Sequence, residues 1–121
     1  MLASASCFNM ADLQSSSLSE REVYLIDPEF IDTSKSQVRN FQIQYLNKRN
    51  TIPSLYALQG YDALLFFGRM LHQYRDKLRT GLDTRNYEDD YLLSGFNYQK
   101  SNENQTVPIL QMDNMRWVRV K

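Results

Sequence analysis

Four glycines, three prolines, one cysteine and one histidine are all that this 121-residue chain holds of the residue types that shape tight turns, disulfides and metal sites. The glycines, at positions 60, 68, 81 and 95, are spaced too widely to form a phosphate-cradling loop. Cys7 has no partner for an internal disulfide, and with His72 it falls short of a four-ligand zinc set. Neither sign of charge is in excess, with 14 Lys plus Arg against 14 Asp plus Glu. A neutral chain generates no overall field to attract phosphates or anionic lipid, which argues against nucleic acid as a partner. The densest apolar stretch, Ala63 to Phe67, is far shorter than the roughly 20 residues a bilayer requires, so no membrane insertion is expected. Ala5-Ser6-Cys7 faintly suggests a lipoprotein cleavage site, but Ser4 stands where an aliphatic residue is wanted. No basic flank or apolar run precedes it, so Cys7 reads as a small buried thiol and no export signal is evident.

What remains is an ordinary globular composition, 42% apolar and 23% charged, at the length of one domain. A chain of this size buries about two-thirds of its unfolded surface, enough for one core. Residues 1–9 suit a short strand, and Asp12 to Ser19, with three consecutive serines, suits a turn. Val23-Tyr24-Leu25-Ile26 is a β-favouring run closed by Asp27-Pro28, where proline disfavours helix, and reads as a buried strand. Val38, Phe41, Tyr45 and Leu46 share a helical face, which predicts a surface helix from Ser34 to Arg49 capped by Asp32-Thr33-Ser34 and stopped at Asn50. Ser54 caps a second helix, whose apolar residues run from Leu55 to Tyr74 and whose end is set at Lys77 to Gly81. Its early turns are apolar nearly all round, which predicts burial on more than one side, with Ala57, Gly60 and Gly68 as points of close approach. Thr106 to Met112 and Met115 to Val120 flank Asp113-Asn114 as a hairpin pairing Ile109 with Val118 and Leu110 with Trp117. Pro108 lacks an amide donor and predicts an edge position or an outward one. The order strand, helix, long helix, hairpin is an α/β mixture.

No constellation in this pattern carries chemistry. Glu88-Asp89-Asp90 with Asp83 lacks the glycine and terminal glutamate of a calcium loop and reads as a solvated acidic loop. His72 lies near no nucleophile turn and reads as a partly exposed helix residue. Eight Tyr, six Phe and one Trp fall mostly at core positions, Phe41, Tyr45, Tyr61 and Phe66 among them, with Tyr24 and Tyr56 as exceptions beside loops. No catalytic residue, metal site or cofactor is expected.

Three strings taken in order nonetheless resemble a known family: Tyr24-Leu25-Ile26-Asp27-Pro28-Glu29-Phe30, then Val38-x-x-Phe41-x-x-x-Tyr45, then Pro53-Ser54-x-Tyr56-Ala57-x-x-Gly60-Tyr61-Asp62-Ala63. Together with Leu93-Ser94-Gly95-Phe96 and the terminal hairpin, they look like the last third of a type I periplasmic binding protein of the branched-chain amino-acid-binding kind, over residues 22–120. The resemblance implies a partial α/β fold, with residues 1–121 as the C-terminal part of a fragment of a two-lobe architecture, and Met1 as an internal methionine or a new start. It implies a non-enzymatic segment that binds a small, amino-acid-like solute in the full-length context, in the periplasm or cell envelope, with a transporter permease or envelope protein as a further partner. The ligand-binding candidates it implies are Ser6, Phe8, Asn9 and Tyr24, although the segment from Ser4 to Asn9 has no acidic residue to grip an amino group. The alternative reading is a ligand-independent structural or protein-interaction module of the envelope.

Overall fold

The computed structural model describes residues 2–4, 23–84, 91–114 and 116–120. Residues up to Phe30 together with those from Val107 form one compact unit, and Ile31–Thr106 form another. The expected turn at residues 12–19, the acidic residues 88–90 and the thiol of Cys7 lie outside the described residues.

The first unit is a mixed sheet in the order β1-β2-β3-β4, made of β1 (Leu2–Ser4), β2 (Tyr24–Ile26), β3 (Ile109–Asp113) and β4 (Arg116–Arg119). β1 runs parallel to β2, and the other two pairings are antiparallel. Leu25 and Leu110 are partners across β2 and β3, and both are buried, as the apolar run predicts. The hairpin forms, but Leu110 pairs with Arg119 and Met112 with Trp117, two positions away from the expected register. The turn begins one residue later, at Asn114, whose φ of 47° is the left-handed conformation that asparagine tolerates well. A shift of two residues keeps each side chain on its original face, so the apolar pattern cannot distinguish the two registers. Pro108 is also placed differently: β3 is an inner strand, and Pro108 is buried just before it. There its carbonyl accepts a hydrogen bond from the Asp27 amide at 3.4 Å, while its missing donor lies outside the ladder.

The second unit is helical. α1 (Ser36–Arg49) ends at Asn50, which is left-handed with φ 55°, and its amide bonds to the Leu46 carbonyl at 2.8 Å, as expected of an asparagine stop. Its start differs from the expectation, because Lys35 is the N-cap and no side chain caps it. The Asp32 carboxylate is instead engaged by the amide and hydroxyl of Ser34, which closes a local turn before the helix begins. Of the predicted apolar face Val38 is fully buried, Phe41 and Tyr45 are half-buried, and Leu46 is exposed.

α2 (Leu55–Tyr74) is capped as predicted, the Ser54 hydroxyl accepting from the Ala57 amide. It stops earlier than the sequence suggests. Arg75 leaves the helical region with φ 47°, a short 3-10 turn covers Arg75–Lys77, and α3 (Leu78–Leu82) follows. The Tyr74 ring lies against Gly81, where a Cβ would overlap it, so Gly81 is the glycine of close approach. Nothing lies within 4 Å of a Cβ built at Gly60 or Gly68, contrary to the close approach expected there. Alanine at Gly81 should therefore destabilise the chain, whereas alanine at Gly60 should stabilise it by up to about 1 kcal/mol through helix propensity. Thermal melts of the two variants check the opposite signs.

Burial on α2 follows a single stripe, Leu58, Asp62, Phe66 and Met70, and the second buried face expected from the sequence is open. Two clusters cover that stripe. Leu58, Val38 and Leu92 pack together with Ile31, Phe41 and Leu93, while Phe66, Met70 and Tyr91 pack with Leu78, Leu82, Phe96 and Tyr98. The aromatic rings of the second cluster stack or meet edge on, Phe66 lying 4.3 Å from Phe96 and nearly parallel to it.

Candidate functional site

Two features of the helical unit concentrate chemistry. The first is Asp62, in the middle of the buried stripe and 2% exposed. Its two carboxylate oxygens accept the backbone amides of Leu92 and Leu93 at 2.9 and 2.8 Å, so one side chain holds the segment after residue 90 against α2. Lys35 reaches the same place, its ammonium donating to the Leu93 carbonyl at 3.3 Å. Burial raises the Asp62 pKa above its ordinary value. The two amides and the charge of Lys35 oppose that rise without cancelling it. An aspartate that satisfies two backbone donors in a dry setting is a structural clamp. It was legible as a polar residue interrupting Leu58, Phe66 and Met70 at spacings of four, a signal the apolar reading of the helix passes over.

A second clamp sits at the far end of this unit. The Arg79 guanidinium donates to the carbonyls of Ser101 and Tyr98, to the Asn102 side chain and to Asp83 at 2.9 Å. Asp83 also accepts the Lys100 amide, and that hydrogen bond, followed by the nearby Arg79 charge, holds its carboxyl below the ordinary range. Desolvation acts the other way and is outweighed. These contacts are exposed, and their worth lies in ordering the loop.

The second concentration is a groove of about 640 Å³ between α1 and α2. Gln37, Asn40, Gln44 and Lys48 line it from one face of α1, and Tyr61, Leu65 and Arg69 from α2. Phe41 bridges the two helices, its ring 4.8 Å from that of Tyr61 and 5.9 Å from that of Tyr45. The sequence assigns Tyr61 to the core; in the structure it is 45% exposed and forms a wall of the groove. Among the described residues the lining carries the cations Lys48, Arg49 and Arg69 and no carboxylate, and the Arg69 guanidinium also lies 5.8 Å from the centre of the Tyr91 ring. Among the described residues no group of His, Cys, Asp and Glu is disposed to hold a metal ion.

Of the predicted ligand-binding residues, Ser6, Phe8 and Asn9 lie outside the described residues. Tyr24 is half-buried at the amino end of β2, beside Leu2 of β1 and Gln111 of β3. The carboxyl ends of the parallel pair are at Ser4 and Ile26, about 7 Å along the strand from Tyr24. Ligands of open α/β sheets gather beyond those carboxyl ends.

Two solved structures share this fold. An ABC transporter substrate-binding protein from Desulfitobacterium hafniense, in complex with Leu, matches 98% of this chain with a TM-score of 0.52 and 14% identity. A second ABC transporter substrate-binding protein from the same organism matches 81% of the chain with a TM-score of 0.51 and 15% identity. The chain spans only about a third of their length, 35% and 31% respectively. No protein-family model matches the sequence, and no curated protein matches it. At such low identity the likeness establishes the fold, which is the partial substrate-binding-protein architecture that the sequence resemblance implies.

Proposed function

We propose that this chain is part of a solute-binding protein that serves an ABC transporter, acts without bond-making chemistry, and works in the periplasm or cell envelope. The observation that carries the reading is the agreement of two likenesses, one of sequence and one of fold. The ordered strings from Tyr24 to Ala63 and the terminal hairpin resemble that family in sequence, and the fold matches its members over nearly the whole chain. None of the described helices is long and apolar enough to cross a membrane.

Amino-acid-like solutes are the substrate class this reading favours, since one neighbour was solved with Leu. Residues 1–121 would supply the C-terminal part of the fold, with Ser6, Phe8, Asn9 and Tyr24 as its candidate ligand contacts. A transporter permease would be the partner. Isothermal titration against a panel of amino acids tests this on the 121-residue chain and on the two-lobed product of the reading frame that contains it. Saturable heat from the two-lobed protein, with weak or no heat from the short chain, is the expected result. No heat from any amino acid in the two-lobed protein would remove the amino-acid assignment, and Asn9→Ala binding as tightly as the parent would remove that residue from the site.

A further inference from the structure

The groove between α1 and α2 takes an uneven share of a neutral chain's charge. Residues 36–74, the two helices and the turn joining them, hold Arg39, Lys48, Arg49 and Arg69 against one carboxylate, Asp62. That carboxylate is buried and already engaged by the amides of Leu92 and Leu93. Lys48, Arg49 and Arg69 all line the groove. Lys48 and Arg49 suit the negative end of α1, but Arg69 stands before the last turn of α2 and on the opposite wall, so helix-end charge does not explain the cluster. Neither Lys48 nor Arg49 pairs with a carboxylate of the described residues, and Arg69 has its ring contact with Tyr91. The side-chain amides of Asn40 and Gln44 on the α1 wall also make no hydrogen bond to another described residue.

The order of the groups along the groove is as informative as their charge. Phe41 of α1 meets Tyr61 of α2 at 4.8 Å, with Tyr45 one turn further along α1. Lys48 follows Phe41, and Arg69 follows Tyr61, by about 10 and 12 Å along their helix axes. The rings therefore come first and the cations beyond them, while Leu65 and Leu92 add apolar lining. A cleft lined by one sign of charge focuses its field on an anion, and about 640 Å³ is within the range of small-molecule sites.

We propose that this groove is a second binding site, for an aromatic carboxylate whose ring lies against Tyr45 and Tyr61 and whose carboxylate is held by Lys48 and Arg69. Asn40 and Gln44 would hydrogen-bond polar substituents on the ring. The site belongs to the helical unit alone, and it stands independently of the solute-binding reading, whose described candidate, Tyr24, is in the sheet.

Titration of the isotope-labelled chain with 2-naphthoate, followed by amide NMR shifts, tests it. Saturable shifts should fall on the α1 and α2 residues that line the groove. Naphthalen-2-ylmethanol, which lacks the charge, and hexanoate, which lacks the ring, should each bind about fivefold or more weakly. Lys48→Gln and Arg69→Gln should each raise the dissociation constant about three- to fivefold, and Tyr61→Leu about fivefold. Arg116→Gln, in β4, should leave it unchanged. The three groove positions are exposed, so the melting temperatures of these variants should hold, which separates lost binding from lost folding. Equal binding of the alcohol or of hexanoate would overturn the proposal, as would shifts elsewhere in the chain or affinity that none of the three substitutions weakens. The two-lobed product of the reading frame should bind 2-naphthoate at the same residues, undisplaced by excess leucine. Loss of the site in that protein, or displacement by leucine, would equally overturn it.

Discussion

Phe66→Ala should cost about 3–5 kcal/mol of stability, the largest loss expected from any single truncation in the helical unit. Phe66 is 1% exposed and sits at the meeting point of five aromatic rings. It stacks on Phe96 at 4.3 Å and 13°, meets Phe67 edge on at 5.0 Å and Tyr91 edge on at 5.8 Å, and lies 6.0 Å from Tyr98. These contacts tie α2 to the segment after residue 90, so the truncation removes apolar burial and leaves a cavity whose walls belong to different parts of the chain. Rings held from several directions cannot collapse together without moving the backbone, which places the loss toward the upper end of the range. Domains of this size are stable by only about 5–15 kcal/mol, so the variant should unfold at markedly lower urea. Urea titration followed by circular dichroism measures the difference. Tyr56→Ala, at a site 79% exposed, serves as the control and should change stability by no more than about 0.5 kcal/mol. A Phe66→Ala loss no larger than that of the control would show that the aromatic cluster is not the core of this unit.

Asp62 is the second site where one substitution has a large expected effect. Alanine there strands the amides of Leu92 and Leu93, each of which costs about 1–3 kcal/mol when buried without a partner. Asparagine keeps one acceptor oxygen but turns an amide donor toward the other backbone donor, so it should be intermediate. The pH dependence follows from the raised pKa of Asp62. A carboxyl that holds its proton more tightly when folded contributes stability that is fully present below its unfolded value near 3.8 and is lost as pH rises through the raised folded value. The advantage of the parent over Asp62→Asn should therefore be greatest in acid and shrink as pH increases across that window. Chemical denaturation of both proteins at a series of pH values gives the comparison directly. An advantage that grows with pH would mean that the amides and Lys35 outweigh burial and that the ionised form is the one the fold prefers.

The elements of this fold are largely written in local sequence because the forces that set them are local. Ser54 caps α2 through its own hydroxyl, Asn50 ends α1 by accepting a left-handed backbone, and the β-favouring run before Asp27-Pro28 becomes β2. The fold class was legible in the same way, through ordered strings whose structural counterpart is the substrate-binding-protein match. The candidate ligand residues were legible only through that resemblance, since serine, phenylalanine and asparagine beyond a strand have no chemistry that singles them out.

What local pattern could not decide was which of several apolar faces finds a partner. Tyr61 and Leu64 are as apolar as Leu58 and Phe66, and only the placement of Leu92, Tyr91 and Phe96 determines that one stripe of α2 is covered and the other left open. The two hairpin registers differ by two residues and so present the same side chains to the same face, and the structure takes the one whose turn starts at Asn114. Asp62 reads as an ordinary polar residue until two amides from thirty residues away arrive at its oxygens. Propensity, capping and periodicity act over a few residues and are fixed by the chain itself. Burial and hydrogen-bond satisfaction depend on which distant atoms arrive, and only the tertiary structure supplies them.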